Sequence, residues 1–185
     1  MMAATKRFRV ALVVIATLIA PMPSAIARQG GDPPMSMPEA SHDDRAAIEA
    51  VMREEDAAWT RGDASAFAAR ALPGIAFTNI IGMFSVGKPP FEAQHARIFS
   101  TIYKGSTLKQ TVVQVSFVRP DVAIVDTLCE LSGFHEVPSG VPTEGGVLRT
   151  RLEQVMVRND GQWWVASFHN VTVNPAAIAN MGPPR

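Results

Sequence analysis

The sequence predicts an α+β fold: a curved antiparallel or mixed sheet with three helices from the N-terminal half packed on its concave face. Three observations carry this expectation. Apolar side chains recur at helical spacing across residues 43–61. Four long strand-like runs follow between residues 106 and 173, separated by turn signals. The order is helices first, a short strand pair, a helix, then an antiparallel meander, and that order places helices on one face of a sheet. A curved sheet has a concave side, and a pocket remains wherever the helices do not fill it.

Each element has a local cause. Ser41 is placed to cap the first helix, with Asp43 and Asp44 in the first turn where the helix dipole favours negative charge. Ile48, Val51, Met52, Ala58 and Trp59 then form one stripe, with Glu55 in its middle. Gly62 ends this helix and Asp63 caps the next, expected over Ala64–Ala71. Leu72-Pro73-Gly74 breaks that helix, Ile75–Ile80 reads as a short strand, and Gly82 turns it back toward Phe84–Val86. The third helix is expected over Pro89–Tyr103, since proline is tolerated in a first turn. Phe91, Ile98 and Ile102 form its stripe, Phe99 lies at the edge, and His95 sits among them. The long strands are expected over Ser106–Val118, Asp121–Gly133, Val147–Arg158 and Gln162–Val173. Arg119-Pro120-Asp121 makes the first turn and Asn159-Asp160-Gly161 the last, because Asn, Asp and Gly tolerate the positive φ of a tight hairpin. The Pro- and Gly-rich stretch Phe134–Gly146 reads as a long mobile loop, a lid or a dimer contact.

Lys6, Arg7 and Arg9 precede an uncharged apolar run that ends at Pro21, and Ala25-x-Ala27 follows. This is the pattern of a secretory signal peptide over residues 1–27, and it implies a secreted or periplasmic protein. Residues 28–40 read as a flexible leader, 41–175 as one domain, and 176–185 as a frayed tail. With 17 basic and 17 acidic residues and no basic stripe, nucleic acid is not an expected partner, nor is a membrane once the signal is removed. Cys129 is the only cysteine, which excludes an internal disulfide and a Cys-rich metal site.

No glycine-rich phosphate loop, G-x-S-x-G elbow or H-E-x-x-H pair occurs, and His42, His95, His135 and His169 have no metal-ligand spacing. No cofactor and no metal are therefore expected. What remains is a rule about burial. A polar side chain on an apolar face must be paired or must face a cavity, because desolvating it alone costs several kcal/mol. Glu55 and His95 meet this test on their helices. Asp126 meets it by alternating with Val122, Ile124 and Leu128, and His169 by alternating with Trp163, Val165 and Val171. These four are the candidate catalytic groups, a carboxylate and an imidazole working as base and acid. The alternative is that Glu55 pairs with His95, and Asp126 with His169 or Arg151, inside a closed core. Trp59, Phe77, Asn79, Phe99 and Asn170 are the candidate ligand contacts. Asn79 has an equally plain role bonding turn backbone, and Trp59 has one in the core. Aromatic residues on both faces of the last strand suggest that a partner subunit covers the second face.

Several of these runs together resemble a known family. Ala57-Ala58-Trp59-Thr60-Arg61-Gly62-Asp63-Ala64 is similar to the A-W-x-x-G-D-A helix junction of nuclear transport factor 2-like (SnoaL-like) cone domains. Phe77-Thr78-Asn79-Ile80-Ile81-Gly82, His95 with Phe99, the run from Arg119 to Asp126 and the run from Gly161 to Asn170 extend the likeness over residues 46–173. The set is most similar to the SgcJ/EcaC-type subgroup. The resemblance implies a cone-shaped α+β homodimer with a pocket between helices and sheet. Relatives carry Pro-Asp where this chain has Pro73-Gly74, so an acid of theirs is missing here. Cone domains include enzymes and non-catalytic proteins, so the fold leaves the activity open. The sequence is compatible with a cofactor-independent isomerase, dehydratase or hydrolase acting on a small apolar substrate. It is equally compatible with a ligand-binding or assembly module, or with a protein that works through its dimer surface.

Overall fold

The computed structural model describes residues 41–181; the expected signal peptide and the whole leader lie outside them. The elements run α1 (His42–Arg61), α2 (Ala64–Phe67), β1 (Ala71–Thr78), β2 (Phe84–Val86), α3 (Lys88–Ser100), β3 (Thr107–Arg119), β4 (Val122–Ser132), β5 (Val147–Asn159), β6 (Gln162–Thr172) and α4 (Pro175–Met181). The six strands form one mixed sheet in the order β2-β1-β6-β5-β4-β3. Only β1 and β6 are parallel, and every other pairing is antiparallel. Helices α1, α2 and α3 pack on one face, which we call the inner face. The α+β expectation holds.

Local chemistry explains the helix ends. Ser41 Oγ accepts the Asp44 N–H at 3.0 Å. Asp44 Oδ1 in turn accepts from Arg158 at 2.8 Å and from the Trp163 indole at 3.2 Å, tying the start of α1 to the β5–β6 hairpin. Gly62 closes α1 at φ 66°. Its N–H reaches the Trp59 carbonyl, and the Asp63 N–H reaches that of Ala58, so the last helical carbonyls are satisfied. Asp63 Oδ1 then caps α2 by accepting the Ala66 N–H. Asp160 and Gly161 both have positive φ, the geometry of a two-residue hairpin loop between the paired Asn159 and Gln162.

Four expectations need correction. Helix α2 stops at Phe67 and β1 begins at Ala71, ahead of Pro73-Gly74. Those two residues fall in an irregular stretch of β1, where its pairing with β6 slips between Ala71 and Ala76. Gly74 has no positive φ and a Cβ there would meet nothing within 4 Å, so local conformation does not demand glycine. Helix α3 ends at Ser100, three residues early, at Thr101, whose hydroxyl is turned back onto the Arg97 carbonyl. The loop after β4 is held down at its start by the His135 N–H on the Ile102 carbonyl, and Phe134, Val137 and Val141 pack on the core. The segment expected to fray begins as α4, a short helix with no buried residue.

The inner face of the sheet is nearly continuous in β4 and β5. Ala123, Val125, Thr127, Cys129 and Leu131 alternate inward, opposite Leu148, Thr150, Leu152, Gln154 and Met156. In β6 the alternation breaks. Val165 pairs with Met156 and Ser167 with Val155, so Ala166 is an extra residue. Such a bulge reverses which side chains face the core on either side of it. Trp163 and Val165 point inward before it, and Phe168 and Asn170 after it.

The α1–α2 corner positions Trp59 for the site below. Gly62→Ala places a Cβ in a left-handed conformation that costs about 1–2 kcal/mol. Urea unfolding should show a loss of that size. An unchanged midpoint would mean that the corner relaxes without it.

Candidate functional site

Between α1, α3 and the inner face lies a cavity of about 130 Å³. Its floor is Leu108, Gln110, Cys129, Leu131, Leu148, Thr150 and Leu152 from β3, β4 and β5. Its walls are Trp59 of α1, Phe67 of α2, His95 and Ile98 of α3, Ile102 and Tyr103 just beyond, and Phe77, Phe168 and Asn170 of the sheet. Asn79, Ile80, Ile81, Met83, Gln94, Arg97 and Pro138 complete the rim.

His95 is buried inside an aromatic cage. Its ring centroid lies 4.4 Å from Phe91, 4.5 Å from Phe67 and 5.5 Å from Phe77. Phe99, Trp59 and Phe168 follow at 5.9, 6.2 and 6.4 Å. Its Nδ1 is 2.7 Å from the Phe91 carbonyl oxygen one turn earlier. Burial lowers its pKa to about 4, and the carbonyl bond offsets only part of that, so the ring is neutral at pH 7. Trp59 is held edge-on to Phe99 at 4.8 Å, and its indole donates to Ser106 Oγ at 2.9 Å. The Ser106 hydroxyl in turn donates to the Tyr103 carbonyl.

Glu55 lies behind the floor and does not line the cavity. It accepts from Gln110 Nε2 at 3.1 Å and from Gln154 Nε2 at 3.0 and 3.2 Å. It makes no pair with His95, contrary to the closed-core alternative. Complete burial raises its pKa to about 8, because two neutral amides cannot replace the hydration of a carboxylate, and the neighbouring Asp56 and Glu54 add to the rise. Glu55 is therefore mostly a neutral acid at pH 7. The neighbouring Asp56, half-buried, accepts the Gln110 backbone N–H, and desolvation raises its pKa to about 6. Cys129 lies on the floor with its thiol pushed up to about 12 by burial, so it is not a nucleophile at neutral pH.

Two expected catalytic residues are elsewhere. Asp126 lies on the outer face, opposite Glu153 and Gln114. His169 is exposed on the same outer face, opposite Glu153 and Thr78. Asp126 follows an outer alternation of Val122, Ile124 and Leu128 that resembles a core pattern because all are half-buried. His169 is reversed by the Ala166 bulge, which also puts Trp164 on the side of His169. Neither residue can work with His95 through the sheet.

Trp59, Phe77, Asn79 and Asn170 line the cavity, and Phe99 stands one layer back, packed edge-on against Trp59 and His95. Asn79 Oδ1 accepts the Ile81 and Met83 N–H groups and shapes the turn to β2, so its plainer role is also present. Sequence reasoning missed Tyr103, Gln110, Thr150 and Gln154. The last two carried a signal, since they interrupt the apolar series Leu148, Leu152 and Met156. Among the described residues no group of three His, Cys, Asp or Glu side chains is placed to hold a metal.

No protein-family model matches the sequence, and no curated protein matches it. Solved structures do. A protein with a cystatin-like fold from Caulobacter vibrioides matches with a TM-score of 0.65 at 24% identity, over 75% of this chain and 95% of that one. A ketosteroid isomerase-like protein from Erwinia carotovora atroseptica matches at 0.59 and 20% identity, over 73% and 100%. An NTF-2-like protein of unknown function from Shewanella oneidensis MR-1 matches at 0.56 and 16%, over 69% and 98%. The architecture is that of the cystatin-like α+β folds. Within them, the chain has the nuclear transport factor 2-like fold.

Glu55 generates a prediction with a definite sign. Its folded pKa is raised, so its contribution to stability is complete below about pH 4.5 and is lost as pH rises toward about 8. Glu55→Gln keeps the hydrogen-bonding shape without the ionisation. Relative to this variant, the native chain should lose about 1 kcal/mol per pH unit across that window. Parallel curves from denaturant unfolding at several pH values would show that Glu55 ionises freely in the fold.

Proposed function

We propose that this chain is an exported protein that binds a small, largely apolar molecule in the cavity between its helices and its sheet. One observation carries the reading. The Tyr103 hydroxyl and Asn170 Oδ1 are buried without a hydrogen-bond partner, and both residues line a cavity that is otherwise mainly apolar. Leaving such groups unpaired costs about 1–3 kcal/mol each. A few convergent polar groups in an apolar cleft are what a small-molecule site requires.

Binding without turnover is favoured over acid–base catalysis. An enzyme of the expected kind needs a base and an acid within one substrate's reach. Among the described residues no carboxylate lines the cavity. Glu55 is behind Gln110, while Asp126 and His169 are on the other side of the sheet. The likeness to a ketosteroid isomerase-like protein makes an isomerase the natural enzymatic alternative. Its chemistry would fall to His95 with Tyr103, and a histidine neutral down to about pH 4 is a weak base.

Export rests on the basic start, the apolar run and Ala25-x-Ala27. We further propose that a second copy covers the outer face of the sheet, where Phe84, Val86 and Val171 stand 64%, 59% and 59% exposed. Light scattering at micromolar concentration should give a dimer, and a monomer would overturn this.

The binding reading is tested with a thermal-shift screen of one- and two-ring compounds, repeated on Tyr103→Phe. The variant should fold as well as the native chain, since it deletes an unpaired hydroxyl. It should bind hits about tenfold more weakly. A screen in which no compound raises the melting temperature would count against a ligand site.

A further inference from the structure

One acceptor of the cavity, the second ring nitrogen of His95, points to a ligand chemistry; this rests on the small-molecule reading above. His95 Nδ1 faces the Phe91 carbonyl oxygen at 2.7 Å. A carbonyl only accepts, so Nδ1 carries the proton, and Nε2 of the neutral ring is left as an acceptor. Asn170 Oδ1, buried and unpartnered, is a second acceptor. The Tyr103 hydroxyl, also unpartnered, can donate or accept. The Asn170 amide, Thr150 and Gln94 bring further donors, while those of Cys129, Gln110 and Asn79 are engaged or wet. The Cys129 thiol points to Gln110 Oε1 at 3.9 Å, and Gln110 Nε2 is spent on Glu55 and the Met52 carbonyl. Asn79 keeps an amide donor but is half-exposed, where water competes for it.

Charge and size narrow the class. Among the described residues that line the cavity, Arg97 is the one that carries a charge, and it is exposed. The interior therefore offers nothing to stabilise an ion, and a buried unpaired charge is strongly disfavoured. A volume of about 130 Å³ is close to that of an apolar cavity that takes benzene, so one ring fits inside and anything larger extends through the mouth.

We propose that the cavity selects a neutral ring compound bearing a hydroxyl group, a phenol or a cyclic alcohol, whose O–H donates to His95 Nε2. A ketone or ether of the same shape brings no donor and leaves that nitrogen unpaired. Sites built around one hydrogen bond reject ligands that lack it for this reason.

The test compares phenol, anisole, toluene, cyclohexanol, cyclohexanone and benzoate, using tryptophan fluorescence and thermal shift on the full purified chain. Phenol should bind about fivefold to tenfold tighter than anisole and toluene, and cyclohexanol tighter than cyclohexanone by a similar factor. His95→Phe keeps an aromatic ring in the cage but removes the acceptor. It should still bind toluene while losing the preference for phenol. Should that variant fail to fold, the histidine side-chain nitrogen resonances of the native chain provide the readout. The His95 Nε2 signal should move on adding phenol and stay in place with anisole. Equal binding of hydroxylated and non-hydroxylated partners, or an unmoved Nε2 signal with phenol bound, would overturn the hydroxyl proposal and leave a less selective ligand site standing. Tighter binding of benzoate would overturn it in favour of an anion held by Arg97. If all six fail to bind, the proposal falls; if the wider ring-compound screen is also silent, the binding reading falls with it.

Discussion

One extra residue in β6 decides which side chains meet the cavity and which meet the outside. Ala166 has no partner in the ladder with β5, so the strand turns over between Val165 and Ser167. A period of two makes each side chain's face depend on every residue before it. With the bulge in place, Trp163 closes the hairpin end of the core against Phe117 and Asp44, while Phe168 joins the aromatic cage around His95. Asn170 follows onto the cavity wall. Without it, His169 and Val171 would occupy those places and the cage would lose one of its rings. The parallel strand β1 makes the matching adjustment at Pro73-Gly74, where its register with β6 slips. Gly74 thus falls where the register of β1 with β6 shifts.

The cage shows why this side of the sheet is rigid yet incompletely filled. Trp59, Phe67, Phe77, Phe91 and Phe168 meet mostly edge-on, with Phe67 stacked on Phe91, around an imidazole whose proton is tied to the helix backbone. Aromatic rings packed this way bury large areas and keep few alternative rotamers. Flat rings meeting at steep angles also leave a gap that flexible aliphatic side chains would close. The opening lies beside β3 and β4, where the smaller Gln110 and Cys129 form the floor.

Much of this was legible in the sequence. The helix caps at Ser41, Gly62 and Asp63, the Asp160-Gly161 turn and the alternation in β4 and β5 all follow from short-range chemistry, and the α+β layout follows from their order. Trp59, Phe77, Asn79, His95 and Asn170 were identified by their residue type and place, and all five line the cavity. Asp126 and His169 were misassigned for a non-local reason. A half-buried outer face in β4 has the same pattern as a core face, and a bulge becomes visible only when the partner strand is known. Glu55 was correctly placed on the buried stripe of α1, but its partners Gln110 and Gln154 stand 55 and 99 residues away, and nothing local announces them. The surface apolar groups Phe84 and Val86 sit in a three-residue strand too short to show any alternation.

The electrostatic character of the cavity follows from burial more than from composition. Glu55, His95, Tyr103 and Cys129 all titrate, and each is pushed toward its uncharged form: Glu55 to about 8, His95 to about 4, Tyr103 and Cys129 each to about 12. Desolvation is the leading cause in all four. No salt bridge is present among them to hold a charge in place, so neutralisation is the only low-cost state. Around pH 7 the interior of the cavity therefore presents dipoles without net charge, Arg97 standing at the exposed rim. Dipoles in a low-dielectric space discriminate by direction: a lone pair that faces inward favours a donor and disfavours another lone pair. Discrimination of this kind needs no charged residue, no metal and no moving part. It needs a tautomer that does not change, and the Phe91 carbonyl, one helical turn from His95, supplies that.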